Sequence, residues 1–357
     1  MRATVIGAGV AGLVTATTLA ERGAKVKLVE RSRDLGGNAS WLAGGMLAPF
    51  CEGESAPREV VELGRRAIDW WDARVPGVVR EGTLVIAPPR DVAEIERFAQ
   101  RTSHQERVDD ARIAMLEPDL AGRFRKGLFF AGEGHVDPRG AMRALAEALS
   151  AHGAELRFGV DGAPSSGPSG HPLPHRASKD ARLSTGFAGE GIVIDCRGFA
   201  ARPELPELRG VRGEMIRVRT SEVMLTRTVR LLHPRIPLYV VPRSNGEFMI
   251  GATMIESAEK GAVSVRSAIE ILSAAYALHP AFGEAEILEM GADVRPAYPD
   301  NEPRIEEREG RIFVNGFYRH GFLLAPAFAE RAAALALARA GERPATDPRP
   351  TAVGAWT

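Results

Sequence analysis

The sequence predicts an α/β fold in which a domain built on a parallel sheet is interrupted by a second, mainly antiparallel α+β lobe. Three observations carry this. The chain opens as strand, turn, helix, strand in ATVIGAGVAGLVTATTLAERGAKVKLVER, several short apolar strands crowd into residues 213–253, and the chain closes on a strand, RIFVNG, and an Ala-rich helix. Parallel βαβ patterns at both ends with antiparallel strands between them describe one layered domain carrying an insertion. The length of 357 residues suits two domains at roughly 150 residues each.

Apolar residues run up to Gly7, as in a buried parallel strand, and then recur at helical spacing through Val10, Leu13, Val14, Thr17 and Leu19. Gly23 ends that helix, and residues 25–30 alternate into a second strand. Residues 36–49 form a glycine-rich loop. An amphipathic helix is expected over 59–75, carrying Trp70 and Trp71, which are read as core together with Phe129 and Phe130. TLVIA and GLFFA are strands flanking a helix that follows Pro88 and Pro89, and residues 140–152 are a further helix. A short strand leads into a Gly-, Ser- and Pro-rich stretch, 159–191, too poor in apolar residues to order well. It reads as a surface excursion, because GIVIDCRG immediately resumes a buried strand. EMIRVR, TRTVRLL, PLYVVPR and EFMIGAT are strands separated by turn residues such as Ser244, Asn245 and Gly246, the close spacing of an antiparallel sheet. Helices over 263–278 and 326–340 flank the closing strand.

Composition removes several functions. Lys plus Arg and Asp plus Glu are each 46, so zero net charge offers no general attraction to nucleic acid or anionic lipid. Residues 3–20 lack charge, but their Thr4, Val5, Ile6 run and early glycines are unlike the Leu-rich core and cleavage site of an export signal. No other stretch has the roughly 18 apolar residues of a membrane span. Two cysteines, Cys51 and Cys196, are too few for a disulfide framework or a thiolate metal site and suit a reducing, cytoplasmic location. His171 and His175 have ligand-like spacing, but Pro172 and Pro174 forbid the helix that would align them, so no metal is expected. No GxSxG elbow is present, and neither cysteine has a neighbouring histidine.

Gly7, Gly9 and Gly12 form GxGxxG between the first strand and helix, and Glu30 ends the next strand. The first glycine makes the tight turn, the second admits a pyrophosphate against the backbone, and the third lets helix pack on strand. N–H groups at the helix start, at Val10 and Ala11, meet the anion. Glu30, with Arg31 after it, faces an adenosine ribose and disfavours a 2′-phosphate. This Rossmann-like pattern suits NAD and FAD alike.

The next loop, LGGNASWLAGGMLAP, is similar to the small-residue run of the glycine oxidases of thiamine biosynthesis, in the flavin-dependent D-amino acid oxidase superfamily. The resemblance covers essentially the whole chain. It implies a D-amino acid oxidase type fold, with a Rossmann-like FAD-binding domain over 1–76, 137–202 and 291–357 and a substrate-binding domain over 77–136 and 203–290. It implies that Ala43, Gly44, Gly45 and Met46 line the flavin, that Ser40 lies nearer the phosphates, and that Val160 contacts adenine through its backbone. Arg197 and Gly198 match the stretch where the chain returns to the cofactor. In GFYRHGFLLAP, Arg319 is implied to support the substrate side, and Gly321, Phe322 and Leu323 to present N–H groups to the flavin at a helix start. The partial positive charge of such a helix end favours an anionic reduced flavin. His320 stands where the family more often has asparagine, as a titratable group beside the ring or as a core residue.

In PLYVVPR, MIGATMIES and GADVRPAYPDNEP, the resemblance assigns Tyr239 and Arg295 to a substrate carboxylate and Met254 to narrowing the pocket. Arginine gives a carboxylate two parallel charge-assisted bonds where lysine gives a point charge. The implied activity is oxidation of glycine or a similarly small amino acid by noncovalent FAD, with hydride transfer to flavin N5 from the neutral amine form and no obligatory side-chain base. The imine would hydrolyse to glyoxylate and ammonia or enter thiazole synthesis, and O2 would reoxidise the flavin to give H2O2. The alternatives are sarcosine, a D-amino acid or proline as substrate, a quinone as acceptor, an NAD-dependent dehydrogenase, and a flavin-binding protein without turnover. Exposed strand edges in the second lobe leave a homo-oligomer open.

Overall fold

The computed structural model describes residues 1–160, 191–232 and 237–341. All but the ends of the 159–191 stretch lies outside the described residues, as do His171 and His175.

Six strands form the first sheet, in the order Arg304–Arg308, Arg311–Asn315, Ile192–Asp195, Arg2–Ile6, Lys25–Val29 and Glu155–Arg157. The outer pair, Arg304–Arg308 with Arg311–Asn315, is antiparallel and every other pair is parallel. Helix Val10–Glu21 makes the crossover from the first strand to the second. It is buried along most of its length because it packs between the sheet and the helices Pro138–Ala151 and Gly321–Arg339. A helix enclosed in this way needs apolar or small residues all round, which explains the absence of charge from Val10 to Ala20.

The second sheet has nine strands. Its main path runs Ile255–Glu256, Arg209–Arg219, Glu247–Gly251, Leu238–Pro242, Thr228–Leu231, Thr83–Ile86, Lys126–Phe130, Glu106–Asp109, with Glu286–Ala297 also on Arg209–Arg219. Thr228–Leu231 pairs parallel with Thr83–Ile86, joining distant parts of the chain in one sheet. Glu286–Ala297 pairs antiparallel on both sides of position 291. A separate core beneath this sheet includes Leu84, Ile113, Ile216, Val240 and Ile271.

Two helices differ from expectation. Residues 59–75 form two short helices, Arg58–Gly64 and Ala67–Asp72. At Gly64 the backbone runs against Leu323, whose side chain would lie 2.8 Å from an added Cβ, so a larger residue there would clash with the terminal helix. Trp71 is fully buried, whereas Trp70 is only half-buried beneath the Arg74 guanidinium, 4.4 Å from its ring. The terminal helix starts at Gly321, ahead of the expected position 326, and Pro326 lies inside it. That helix has the length and apolar character of a membrane span, yet it is largely buried against Val10–Glu21, Arg58–Gly64 and Ala67–Asp72.

Candidate active site

A cavity of about 530 Å³ opens between the two sheets. It lies at the carboxyl ends of Arg2–Ile6, Lys25–Val29 and Ile192–Asp195, where open α/β sheets bind ligands. Every residue that the sequence analysis assigned to cofactor or substrate lines it, with the exception of Gly12. Gly12 lies behind the wall, where a Cβ would come within 1.8 Å of the Gly7 carbonyl oxygen, so its part is the contact of helix with strand.

At one end Gly7 turns with φ +100°, and Gly9 leaves room for the Ser40 hydroxyl, which would lie 3.3 Å from an added Cβ. Ser40 Oγ accepts from the Val10 N–H at 3.0 Å. Glu30 is buried and accepts from the N–H groups of Ala8, at 2.7 Å, and Ser32, at 2.9 Å. Val160 donates its N–H to the Glu30 carbonyl, which brings it to the same end. The Arg197 guanidinium is committed to the fold, paired with Asp195 and Glu204 at 2.7 Å each.

Ala43, Gly44, Gly45 and Met46 form the middle wall. Their small size also answers to protein neighbours. A Cβ on Gly44 would come within 2.9 Å of the Tyr239 ring, and one on Gly45, which has φ +68°, within 2.1 Å of the Val136 carbonyl oxygen. Arg243 donates to the Gly44 carbonyl at 2.6 Å, and burial brings this guanidinium down to about 10.

At the other end, Tyr239 stands on its strand directly between Arg230 and Gly251 of the two neighbouring strands. The Arg295 guanidinium lies flat on Gly213, where a Cβ would meet its Cζ at 2.2 Å, and Nη1 donates to the Thr253 carbonyl at 2.9 Å. Burial pushes the Tyr239 hydroxyl up, against the opposing pull of Arg295. Four other arginines of the wall face acids. Arg197 and Arg311 meet Asp195 and Glu204, while Arg230 and Arg319 meet Glu52. Arg295 has no carboxylate partner among the described residues. Arg319 reaches the same end through a network, donating to Ser55 Oγ at 2.6 Å and touching the Met254 sulfur at 3.8 Å. The Tyr318 hydroxyl donates to the same sulfur at 3.3 Å.

Glu52 lines the cavity too and was not singled out from the sequence. Its Oε2 lies 2.8 Å from both Arg319 Nη2 and His320 Nε2, and its Oε1 lies 3.4 Å from Arg230 Nη1. Burial pushes the Glu52 carboxyl up, but Arg319, His320 and Arg230 together outweigh this and hold it well below the usual carboxylate range. A single acid just past the AGGMLAP run has no spacing that would mark it.

The FAD dependent oxidoreductase family, DAO, matches residues 2–335. The chain belongs to this family. It is 52 % identical over 348 residues to the Rhizobium etli protein named "Putative thiamine biosynthesis oxidoreductase ThiO", covering 96 % of this chain and 98 % of that protein. It is 28 % identical to a glycine oxidase of Geobacillus kaustophilus, over 90 % of this chain and 89 % of that one. The crystal structure of glycine oxidase from Geobacillus kaustophilus has the same fold, with a TM-score of 0.74 at 22 % identity across 100 % of this chain and 99 % of that chain. This chain is therefore an FAD-dependent oxidoreductase with a D-amino acid oxidase type fold. The cavity fits FAD on its own terms. A glycine turn at a helix start whose N-cap residue, Gly9, brings no capping side chain suits a pyrophosphate, and the buried acid at the end of the second strand suits a ribose.

Proposed function

We propose that this oxidoreductase oxidises glycine, or a similarly small amino acid, to the imine, which water hydrolyses to glyoxylate and ammonia. One observation carries the proposal: Arg295 offers the cavity a guanidinium that no described carboxylate engages, held by Gly213 and the Thr253 carbonyl. A substrate carboxylate takes two parallel charge-assisted bonds from such a fork. Tyr239 stands beside it, and Met254, with Tyr318 and Arg319, narrows the entrance.

For the cofactor we assign Gly7, Gly9, Val10, Ala11 and Ser40 to the pyrophosphate side and Glu30, Arg31 and Val160 to adenosine. Residues 43–46 and 321–323 are assigned to the flavin. Bound FAD supplies a two-electron acceptor for the substrate α C–H bond, and O2 is the final acceptor, giving H2O2. The protein contributes position and charge. Arg295 and Tyr239 orient the substrate, and N–H groups at the start of Gly321–Arg339 bring a partial positive charge to the flavin end. Both cysteines are buried, and binding of FAD is assigned as noncovalent. The names of the Rhizobium etli and Geobacillus kaustophilus relatives support a small amino acid as substrate and a place in thiamine thiazole synthesis.

Anaerobic addition of glycine to the yellow holoenzyme is expected to bleach its flavin absorbance. Sarcosine, D-alanine and D-proline probe the neighbouring substrates, and failure of all four to bleach it removes the oxidase reading.

A further inference from the structure

Three guanidiniums reach the end of the cavity that holds Tyr239, and one protein carboxylate answers two of them. Arg295, Arg319, Arg230 and Glu52 all line the wall. Glu52 is buried and meets Arg319 through Oε2 at 2.8 Å and Arg230 through Oε1 at 3.4 Å. Every nitrogen of the Arg319 guanidinium is engaged. Nη2 serves Glu52 and Ser55 Oγ, Nε lies 3.3 Å from His320 Nε2, and Nη1 rests against the Met254 sulfur. Arg230 stands directly across from Tyr239 on the neighbouring strand, so the group that Glu52 holds there is next to the residue assigned to the substrate carboxylate. Of the three arginines, only Arg295 has no carboxylate partner among the described residues. A fork already given to a protein carboxylate has little left for a ligand, and a second ligand anion at this end would lie beside the Glu52 charge.

We infer that Glu52 determines substrate specificity: by occupying Arg319 and Arg230 it leaves this end of the cavity one free fork, so that the site takes amino acids with a single carboxylate and rejects those carrying a second anionic group. Specificity of this kind comes from a built-in repulsive element as much as from the attraction of Arg295. Removing the Glu52 charge leaves two partly buried guanidiniums uncompensated, and a second ligand carboxylate then answers them. The inference rests on the reading of Arg295 as the carboxylate anchor.

Acetate and malonate, each titrated into the oxidised holoenzyme and read through the change in flavin absorbance, probe one and two carboxylates without turnover. The wild type is expected to bind malonate about tenfold more weakly than acetate. Glu52→Gln keeps the shape of the side chain and is expected to lower the malonate to acetate ratio of Kd by about tenfold or more. Glu204→Gln takes an equal charge from Arg197 and Arg311, at the glycine-turn end, and is expected to leave the ratio at its wild-type value. Malonate that binds the wild type as tightly as acetate overturns the inference without any variant. It is equally overturned by a ratio that Glu52→Gln leaves unchanged because both ligands weaken together, or that Glu204→Gln lowers by as much. Bleaching by glycine tests the amino acid reading by itself, so an enzyme that glycine reduces but whose ratio ignores Glu52 keeps that reading and loses this one.

Discussion

The indole N–H of Trp71 donates to the Phe322 carbonyl oxygen at 2.8 Å, the carbonyl that Pro326 leaves without its helical donor. The two rings also stack, with centroids 5.2 Å apart. Trp71 thereby ties helix Ala67–Asp72 to the helix start that lines the cavity. Trp71→Phe keeps much of the apolar contact but orphans a buried carbonyl, which is expected to cost about 1–3 kcal/mol in urea unfolding. In a Pro326→Ala background the helix regains its own N–H, and the same substitution is expected to cost less. Equal costs in the two backgrounds would break the link.

Arg295 and Gly213 give a paired test of the substrate end. Arg295→Ala is expected to lose roughly 1.5–3 kcal/mol of binding, read as a rise in KM for glycine. Gly213→Ala keeps the arginine but places a methyl where its guanidinium lies, and the flexible side chain can swing away at little cost in stability. It is therefore expected to raise KM while the melting temperature stays near that of the wild type. An unchanged KM in both variants removes Arg295 from the site.

Gly45→Ala probes the middle wall, where no flexible group can yield. The new methyl meets the Val136 carbonyl oxygen at a backbone φ of +68°. Overpacking of this kind costs about 1–3 kcal/mol, with the positive φ adding to it. Thermal unfolding followed by FAD fluorescence is expected to show release of the cofactor at a lower temperature than in the wild type.

Glu133 makes a pH prediction. Its Oε1 accepts from the Cys51 N–H at 2.7 Å, and burial raises its carboxyl to about 7. A carboxyl raised on folding binds its proton more tightly in the native state, so its contribution falls as pH rises from about 4.5 toward 7 and is lost above that. Glu133→Gln is expected to remove this slope, which is on the order of 3 kcal/mol. Urea midpoints of the two proteins at pH 5 and pH 8 measure it, and parallel pH profiles would refute it.

The glycine-turn end of the cavity is local in sequence. Gly7, Gly9 and Glu30 follow from a tight turn, a close approach and a strand end within thirty residues of chain. Tyr239, Met254 and Arg295 were legible through family resemblance, and the cavity brings them together. The local reading puts Pro326 in the first turn of the terminal helix, whereas the family resemblance already sets a helix start at Gly321, where the structure has it.

The sequence by itself determined the two-lobed α/β plan and the glycine turn, since backbone geometry and hydrophobic period act over a few neighbouring residues, while FAD as against NAD came from the family resemblance. Only the tertiary structure decided which arginines are spoken for. Arg319 and Arg230 come from distant segments and converge on Glu52, while Arg295 rests on Gly213 with no described acid beside it. Charge pairing is set by whichever side chains the fold brings within a few ångströms, and spacing along the chain does not encode that.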